Sequence, residues 1–300
     1  MLAEAKPELN RLQIRLGASR ADGLDALESA VGRLWEKYEK KFYECSRERP
    51  AGGMAWRLDH AARLNRDEYM DRPDFPEEER EREISLLHKM NERFGTYRRA
   101  FESLRPFLDE AVSRTRRTPR LMDLASGYGG FPLAMARFAK QENFPLETSG
   151  SDIQEGHVKR AQERARQERL PVSFRIVNGF QMEGLNPGEY DVFTMLQAVH
   201  HFRPGQIARM IAESLRLATT GFVAIDAVRA PWLPLVMGLP SFLITRSYHF
   251  AHDAFVSGCK MYDAAELEFI ARAAAPDAEV RCHVEFPYNV LEVRRPLSKN

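Results

Sequence analysis

Cysteine is scarce in this 300-residue chain. Cys45, Cys259 and Cys282 stand far apart and form no C-x-x-C pair, which excludes a disulfide framework and makes a reducing interior the default. Long apolar runs are missing too. The most apolar stretch, APWLPLVMGLPSFLI at 230–244, has 15 residues and three prolines, too short and too broken to span a bilayer. Those prolines also argue against a regular helix there. The first residues carry Glu4, Lys6 and Glu8 and no apolar signal core. Neither sign of charge dominates: the formal net charge is +1, which argues against bulk attraction to nucleic acid. No internal repeat or low-complexity segment appears. These absences leave a chain expected to be soluble and cytoplasmic. Its length suits one large domain, or a core domain with an appendage.

The first third reads as amphipathic helices. Leu24, Leu27, Val31, Leu34, Tyr38 and Phe42 recur at three- and four-residue steps, one helix face. After the loop RPAGGMAW, the stretch DRPDFPEEERERE reads as a helix start, with Pro76 in the first turn and Glu77–Glu79 at the positive end. Ile84, Leu87, Asn91 and Phe94 carry that helix to Gly95, and Phe101, Leu104, Leu108 and Val112 mark another. SRTRRTPR (113–120) is a polar linker.

From Arg120 the pattern changes to strand–helix alternation: RLMDL, GFPLAMARFAKQ, LETSGSD, QEGHVKRAQERARQER, VSFRIV, YDVFTML, RPGQIARMIAESLRLA and GFVAID. Such alternation predicts parallel strands with helices on both faces, a Rossmann-like doubly wound α/β sheet. The helix DAAELEFIARAA then leads to two strands, AEVRCHVEF and YNVLEVRR, joined by a few residues around Pro287. So short a connection makes that last pair an antiparallel hairpin.

The turn in RLMDLASGYGGFPLAMARFA sits where a doubly wound sheet binds its ligand, at the carboxyl end of a strand. Its glycines let backbone approach a ligand closely, and the helix that follows offers unpaired N–H groups. A dinucleotide fingerprint needs a third glycine, and counting from Gly127 and Gly129 that position is Pro132. The acid before the turn, Asp123, would also repel a pyrophosphate, whereas a ligand carrying an ammonium and a sulfonium tolerates it.

MDLASGYGG, TSGSDIQEGHVKRA, YDVFTMLQAVHHF and GFVAIDAVR resemble, in this order, the strand-end motifs of class I S-adenosylmethionine-dependent methyltransferases. The resemblance covers about 120 to 293. EYMDRPDFPEEEREREISLLHKMNERFGTYR is similar to the helical N-terminal region of small-molecule methyltransferases of bacterial polyketide pathways. The organisation implied is a helical cap region over 1–118 and a methyltransferase domain over 119–300, with 230–262 as a substrate-side insertion. The resemblance implies S-adenosylmethionine as cofactor. Asp123 would anchor the turn or the amino group of the cofactor's methionine part, above a turn formed by Gly127 and Gly129. Ala125 stands where the family has its first turn glycine. Asp152, an acceptor-only carboxylate, would take both ribose hydroxyls. The acid expected after the third strand is missing; Gly179 holds its position, with Asn178 or Gln181 as replacement. Gln197 and Ala198 would face the methionine part and the sulfonium. Tyr97 or Arg98 would reach the cofactor carboxylate.

Methyl transfer is an in-line displacement in which the enzyme mostly supplies alignment, and an acidic acceptor gains from a general base. His200 and His201 stand just past the fourth strand, and His249, His252 and Asp253 form a second cluster. Each is a candidate base, and each has a plainer reading as a packed, capping or solvated side chain. The 230–244 run lines an apolar pocket, packs as a lid or makes a dimer contact; all three readings are open. No carboxylate cluster with metal-ligand spacing appears near the strand ends, which disfavours catechol-type metal-dependent transfer, and no metal is expected. The leading expectation is O-methylation of a small phenolic or polyketide-like molecule by a monomer or homodimer, with no nucleic-acid partner and no membrane span. The alternatives are C-methylation of a quinone-like acceptor and a cofactor-binding partner protein without turnover.

Overall fold

A computed structural model describes residues 20–47, 63 and 66–296. The expected loop at 49–56 and the side chains of Phe42 and Cys45 lie outside the described residues. Helix α1 runs Arg20–Arg47. A short 3₁₀ helix, Tyr69–Asp71, precedes α2 (Glu77–Arg93) and α3 (Thr96–Thr115). Pro76 is the N-cap of α2, one position earlier than expected, and Glu77, Glu78 and Glu79 fill the first turn, where the helix dipole favours acids.

Strand–helix alternation then follows: β1 (Arg120–Asp123), α4 (Gly130–Gln141), β2 (Glu147–Asp152), α5 (Glu155–Glu168), β3 (Ser173–Ile176), β4 (Val192–Leu196), a 3₁₀ turn (Val199–His201), α6 (Pro204–Leu217) and β5 (Gly221–Ala227). After α7 (Leu233–Thr245), α8 (Tyr248–Lys260) and α9 (Ala264–Ala274) come β6 (Glu279–Glu285) and β7 (Tyr288–Arg294). The seven strands form one sheet in the order β3-β2-β1-β4-β5-β7-β6. The first five are parallel, and β7 lies antiparallel between β5 and β6. The strand order reverses between β1 and β4, which opens a crevice at their carboxyl ends.

Both faces of the sheet are covered. Met122, Phe193 and Phe222 point to one side, onto Leu27, Val31 and Trp35 of α1, Ile207 and Ile211 of α6, and Leu267 and Ile270 of α9. Leu121, Val192 and Val223 point to the other, onto Phe101, Leu104 and Phe107 of α3 and Phe131 and Met135 of α4. Neighbouring residues of one strand thus serve opposite layers, the period of two that a pleated strand imposes. The apolar stripe of α1 is part of the main core.

The 230–244 run departs from expectation: most of it is helix α7. Pro234 falls in the first turn, where a missing N–H costs nothing, and only Pro240 interrupts the interior. α7 packs closely on α8, for a Cβ on Gly258 would stand 2.9 Å from Pro234 Cα. The other face of α7 is bare, with Leu235, Leu239 and Leu243 each about two-thirds exposed. No described helix is long and apolar enough to cross a membrane. A cavity of about 620 Å³ beside Val112, Arg116 and Pro145 lies by the amino end of β1, away from the crevice.

Candidate functional site

The turn after β1 is pinned between its neighbours. Leu124 N donates to Thr194 O at 2.8 Å and Ser126 N to Ser151 O at 2.8 Å. Ala125, Gly127 and Gly129 all take left-handed backbone, with φ of 52°, 53° and 75°. Gly127 N donates to Asp152 Oδ2 at 3.0 Å, and Gln154 N donates to Asp152 Oδ1 at 2.9 Å. The glycine turn and the carboxylate closing β2 therefore share one cleft. Asp123 is buried and accepts from Thr194 Oγ1 at 3.0 Å. Burial, with the Asp152 charge adding to it, pushes its carboxyl well above the usual range, although the bonds from Thr194 and Leu196 N pull the other way. Those contacts fit the turn-anchoring reading of Asp123.

Helix α2 presses on this turn. A Cβ on Gly130 would stand 2.1 Å from His88 Nδ1 and 2.6 Å from Tyr97 Oη. His88 Nδ1 and Tyr97 Oη are 2.7 Å apart, and Asn91 Nδ2 donates to Gln197 Oε1 at 2.7 Å. Burial, helped by Arg164 and Arg137, holds the His88 pKa down to about 3, so the ring is neutral. Gln197, after β4, is again left-handed, with φ of 52°. Among the described residues, His88 Nε2 and Ser126 Oγ are buried without a hydrogen-bond partner. A Cβ on Gly127 would meet nothing within 4 Å. Orphaned polar atoms beside an open glycine fit a polar ligand lying across the turn.

Tyr97 lies inside this contact, but Arg98 does not: its guanidinium pairs with Glu102 and Glu142 on the surface. After β3, Asn178 Oδ1 accepts from Phe180 N at 3.0 Å. Val177 N donates to Asp152 O at 3.1 Å, which places the Asn178–Gly179 segment at the same strand edge. Gln181 continues the turn, its N–H donating to Asn178 O.

The second half of the site begins at Ala198. His200 donates from Nδ1 to Asp226 Oδ2 at 2.8 Å, since a carboxylate only accepts, and its backbone N–H reaches the same oxygen at 3.2 Å. Asp226 closes β5. Burial disfavours its charge, but His200 and backbone N–H groups outweigh that and hold the carboxyl below its ordinary value. His201 Nδ1 lies 3.0 Å from Asp71 Oδ2. Burial opposes the imidazolium, yet the Glu68 and Asp71 carboxylates prevail and raise its pKa to about 9. Glu68, only 2% exposed, stands 3.8 Å from His200 Nε2 and 3.9 Å from His201 Nε2. Lys260 Nζ lies 3.3 Å from its Oε1.

His252 sits one shell further out. Its Nδ1 is 2.9 Å from Asp253 Oδ1, and the Asp253 carboxylate also accepts from Tyr69 N at 2.8 Å and Met70 N at 3.0 Å. Asp253 thus caps the short Tyr69–Asp71 helix rather than its own, and fastens it to α8. His249 pairs with Glu79 at 3.0 Å, away from the pair after β4.

The sequence reading overlooked Glu68, Asp71, Lys260, His88 and the role of Asp226. Asp226 had a signal, as an acid on the last residues of a predicted parallel strand. Glu68 had none, because it enters from the helical region through contacts no spacing encodes.

Residues 121–221 match the family described as Methyltransferase domain. No curated protein matches the chain. Among solved structures, the plantazolicin methyltransferase BamL, in complex with a triazolic desmethylPZN analog and SAH, is 12% identical; the match covers 80% of this chain and 98% of that one, with a TM-score of 0.54. The plantazolicin methyltransferase BpumL in complex with SAH is 13% identical over 81% and 98%, with a TM-score of 0.53. Magnesium protoporphyrin IX methyltransferase (ChlM) from Synechocystis PCC 6803, with bound SAH, is 17% identical over 66% and 83%, with a TM-score of 0.43. The fold is the Rossmann-like methyltransferase fold. Residues 121–221 are thus a methyltransferase domain.

Proposed function

We propose that the chain is an S-adenosylmethionine-dependent enzyme that methylates an oxygen of a small phenolic or polyketide-like molecule. The observation that carries this reading is the His200–Asp226 pair, held at the carboxyl edge of β4 and β5 beside Gln197 and Ala198. A buried imidazole with one nitrogen fixed by a carboxylate has its other nitrogen free to take an acceptor's proton.

Asp152 would accept the ribose hydroxyls, with Asp123, Ala125, Gly127 and Gly129 shaping the turn beneath the methionine part. Asn178 and Gly179 would border the adenine, and Gln197 and Ala198 the sulfonium side. The cofactor, when bound, supplies a methyl group activated on a sulfonium. The protein's part is alignment, exclusion of water beneath α2, and lowering the cost of removing the acceptor's proton through His200 and His201. His252 would steady the wall that presents Glu68. In this reading residues 1–118 act as a cap and 119–300 as the catalytic domain, with 230–262 as the acceptor-side insertion. The bare face of α7 supports a homodimer contact, and a cytoplasmic setting completes the proposal.

Incubation with labelled S-adenosylmethionine and a panel of phenols, quinones and amines tests it. Label on a phenolic oxygen is expected, with His200→Ala lowering turnover by ~10²–10⁴ while S-adenosylhomocysteine binding persists. Labelled product only with amines, or carbon-labelled product from quinones, overturns O-methylation.

A further inference from the structure

His200 and His201 occupy one 3₁₀ turn, with ring centroids 4.3 Å apart and planes tilted by 35°. Each Nδ1 has its own carboxylate, Asp226 at 2.8 Å and Asp71 at 3.0 Å. That fixes each ring and leaves each Nε2 aimed elsewhere. Both face Glu68, one per carboxylate oxygen, at 3.8 Å and 3.9 Å. These gaps are too long for hydrogen bonds, which close to about 2.7–3.2 Å. The three ligand atoms nevertheless lie within 4.8 Å of one another.

We infer that Glu68, His200 and His201 form a binding site for a divalent first-row metal cation. Two imidazole nitrogens and one carboxylate oxygen are a donor set such ions accept, with further positions left open. Metal bonds of about 2.0–2.2 Å need the donors only slightly closer than they stand. The outer shell is already built: imidazoles that bind metals donate their other N–H to a carboxylate, as both do here. Charge also balances. With both imidazoles in the neutral form that ligates a metal, the Glu68, Asp71 and Asp226 carboxylates face the Lys260 ammonium, an excess of two negative charges among these groups that one divalent cation cancels in place of the proton His201 otherwise carries. Lys260, 3.3 Å from Glu68 Oε1, is the resident counter-cation and competes with the metal. This proposal departs from the expectation of a metal-free site. The catalytic consequence rests on the proposed O-methylation: with a cation held, His200 Nε2 would serve as its ligand and not as the base, and the cation would ease loss of the acceptor hydroxyl's proton in its stead. The site itself does not depend on that reading.

The test uses the full chain, stripped with a chelator, and cobalt(II) alone as probe, followed by visible absorption and calorimetry, with zinc(II) in competition. One ion per chain is expected, with a dissociation constant below about 10 μM. Glu68→Gln, His200→Ala and His201→Gln should each weaken binding by at least about tenfold, and Asp71→Asn and Asp226→Asn by roughly 10–100-fold. Lys260→Met should tighten it. His201→Gln, at the most exposed of the three ligands, keeps the test open should another variant misfold. S-adenosylhomocysteine binding, measured in parallel, reports on the cofactor cleft alone. Failure there sinks the enzyme reading and leaves the metal site standing. Wild-type protein that binds neither ion below about 100 μM, or binding that no ligand variant weakens, overturns the metal site.

Discussion

The two halves of the site are built in different ways. The cofactor half is framed by one stretch of chain, in which the ends of β1, β2, β3 and β4 carry Asp123, Asp152, Asn178 and Gln197, with His88 of α2 and Tyr97 of α3 pressed against its turn. Its decisive contact, Gly127 N to Asp152 Oδ2 at 3.0 Å, joins two strand ends that are direct neighbours in the sheet. The acceptor half gathers Glu68 and Asp71 from before α2, His200 and His201 from after β4, Asp226 from β5 and Lys260 from α8. The first is a product of topology. The second is a product of long-range packing of side chains, and it depends on the helical region lying where it does.

The sharpest way to break this contrast is at Asp152. Asp152→Asn removes a charged acceptor from two backbone N–H groups and from the expected ribose contact. Hydrogen bonds to a charged group contribute about 1.5–3 kcal/mol each. Affinity for S-adenosylhomocysteine should fall about a hundredfold, read by calorimetry, while Glu68→Gln leaves it within about threefold. Equal losses in both variants would mean that the halves are one coupled network.

The halves should also answer to pH with opposite signs. In the acceptor half, His201 has its folded pKa raised from 6.5 to about 9. Its contribution is therefore complete below pH 6.5 and is lost as pH rises through 9. Allowing for a side chain about a quarter exposed, the loss is on the order of 2 kcal/mol. In the cofactor half, His88 has its folded pKa lowered from 6.5 to about 3. Its contribution is present above pH 6.5 and is lost as pH falls toward 3. Denaturant unfolding across this range should show His201→Gln flattening the alkaline limb and His88→Gln the acid limb. A swap of those assignments would refute the local electrostatics described for both halves.

The difference in construction also explains what could be read from sequence. The parallel sheet, the antiparallel ending and the Gly127–Asp152 pairing were legible because strand ends and turns are local patterns, and topology places them together. His200 and His201 were legible as candidates from their position after β4. Their partners Glu68 and Lys260 were not, since a lone acid in a helical region and a lone lysine at a helix end carry no spacing signal. The proline-rich 230–244 run misled for a physical reason. Proline forbids only the bonds its own nitrogen would donate, and Pro234 sits where none is needed. Arg98 misled because adjacent residues of a helix point about 100° apart.

A smaller effect sharpens the reading of the turn itself. Ala125 has φ of 52°, where an L-residue costs roughly 1–2 kcal/mol and glycine almost nothing. Glycine gives back part of this through its freer unfolded chain, about 0.4–1 kcal/mol. Ala125→Gly should stabilise the protein by about 0.5–1 kcal/mol, raising the melting temperature by roughly 1–4 °C. A lower melting temperature would show that the Ala125 methyl makes packing contacts worth more than the backbone cost.

The smallest expected change tests where the cofactor half ends. Tyr97 and Arg98 are neighbours on α3, yet Tyr97 Oη lies 2.7 Å from His88 Nδ1 beneath the turn, while Arg98 donates to Glu102 at 2.8 Å on the surface. Tyr97→Phe strands a buried imidazole nitrogen and should cost about 1–2 kcal/mol of stability. Arg98→Ala removes only solvent-exposed ion pairs, whose loss stays within about 0.5 kcal/mol because water and salt screen them. S-adenosylhomocysteine affinity should be unchanged in Arg98→Ala. A tenfold loss there would place the guanidinium within reach of the cofactor and move the boundary of the site one residue outward along α3.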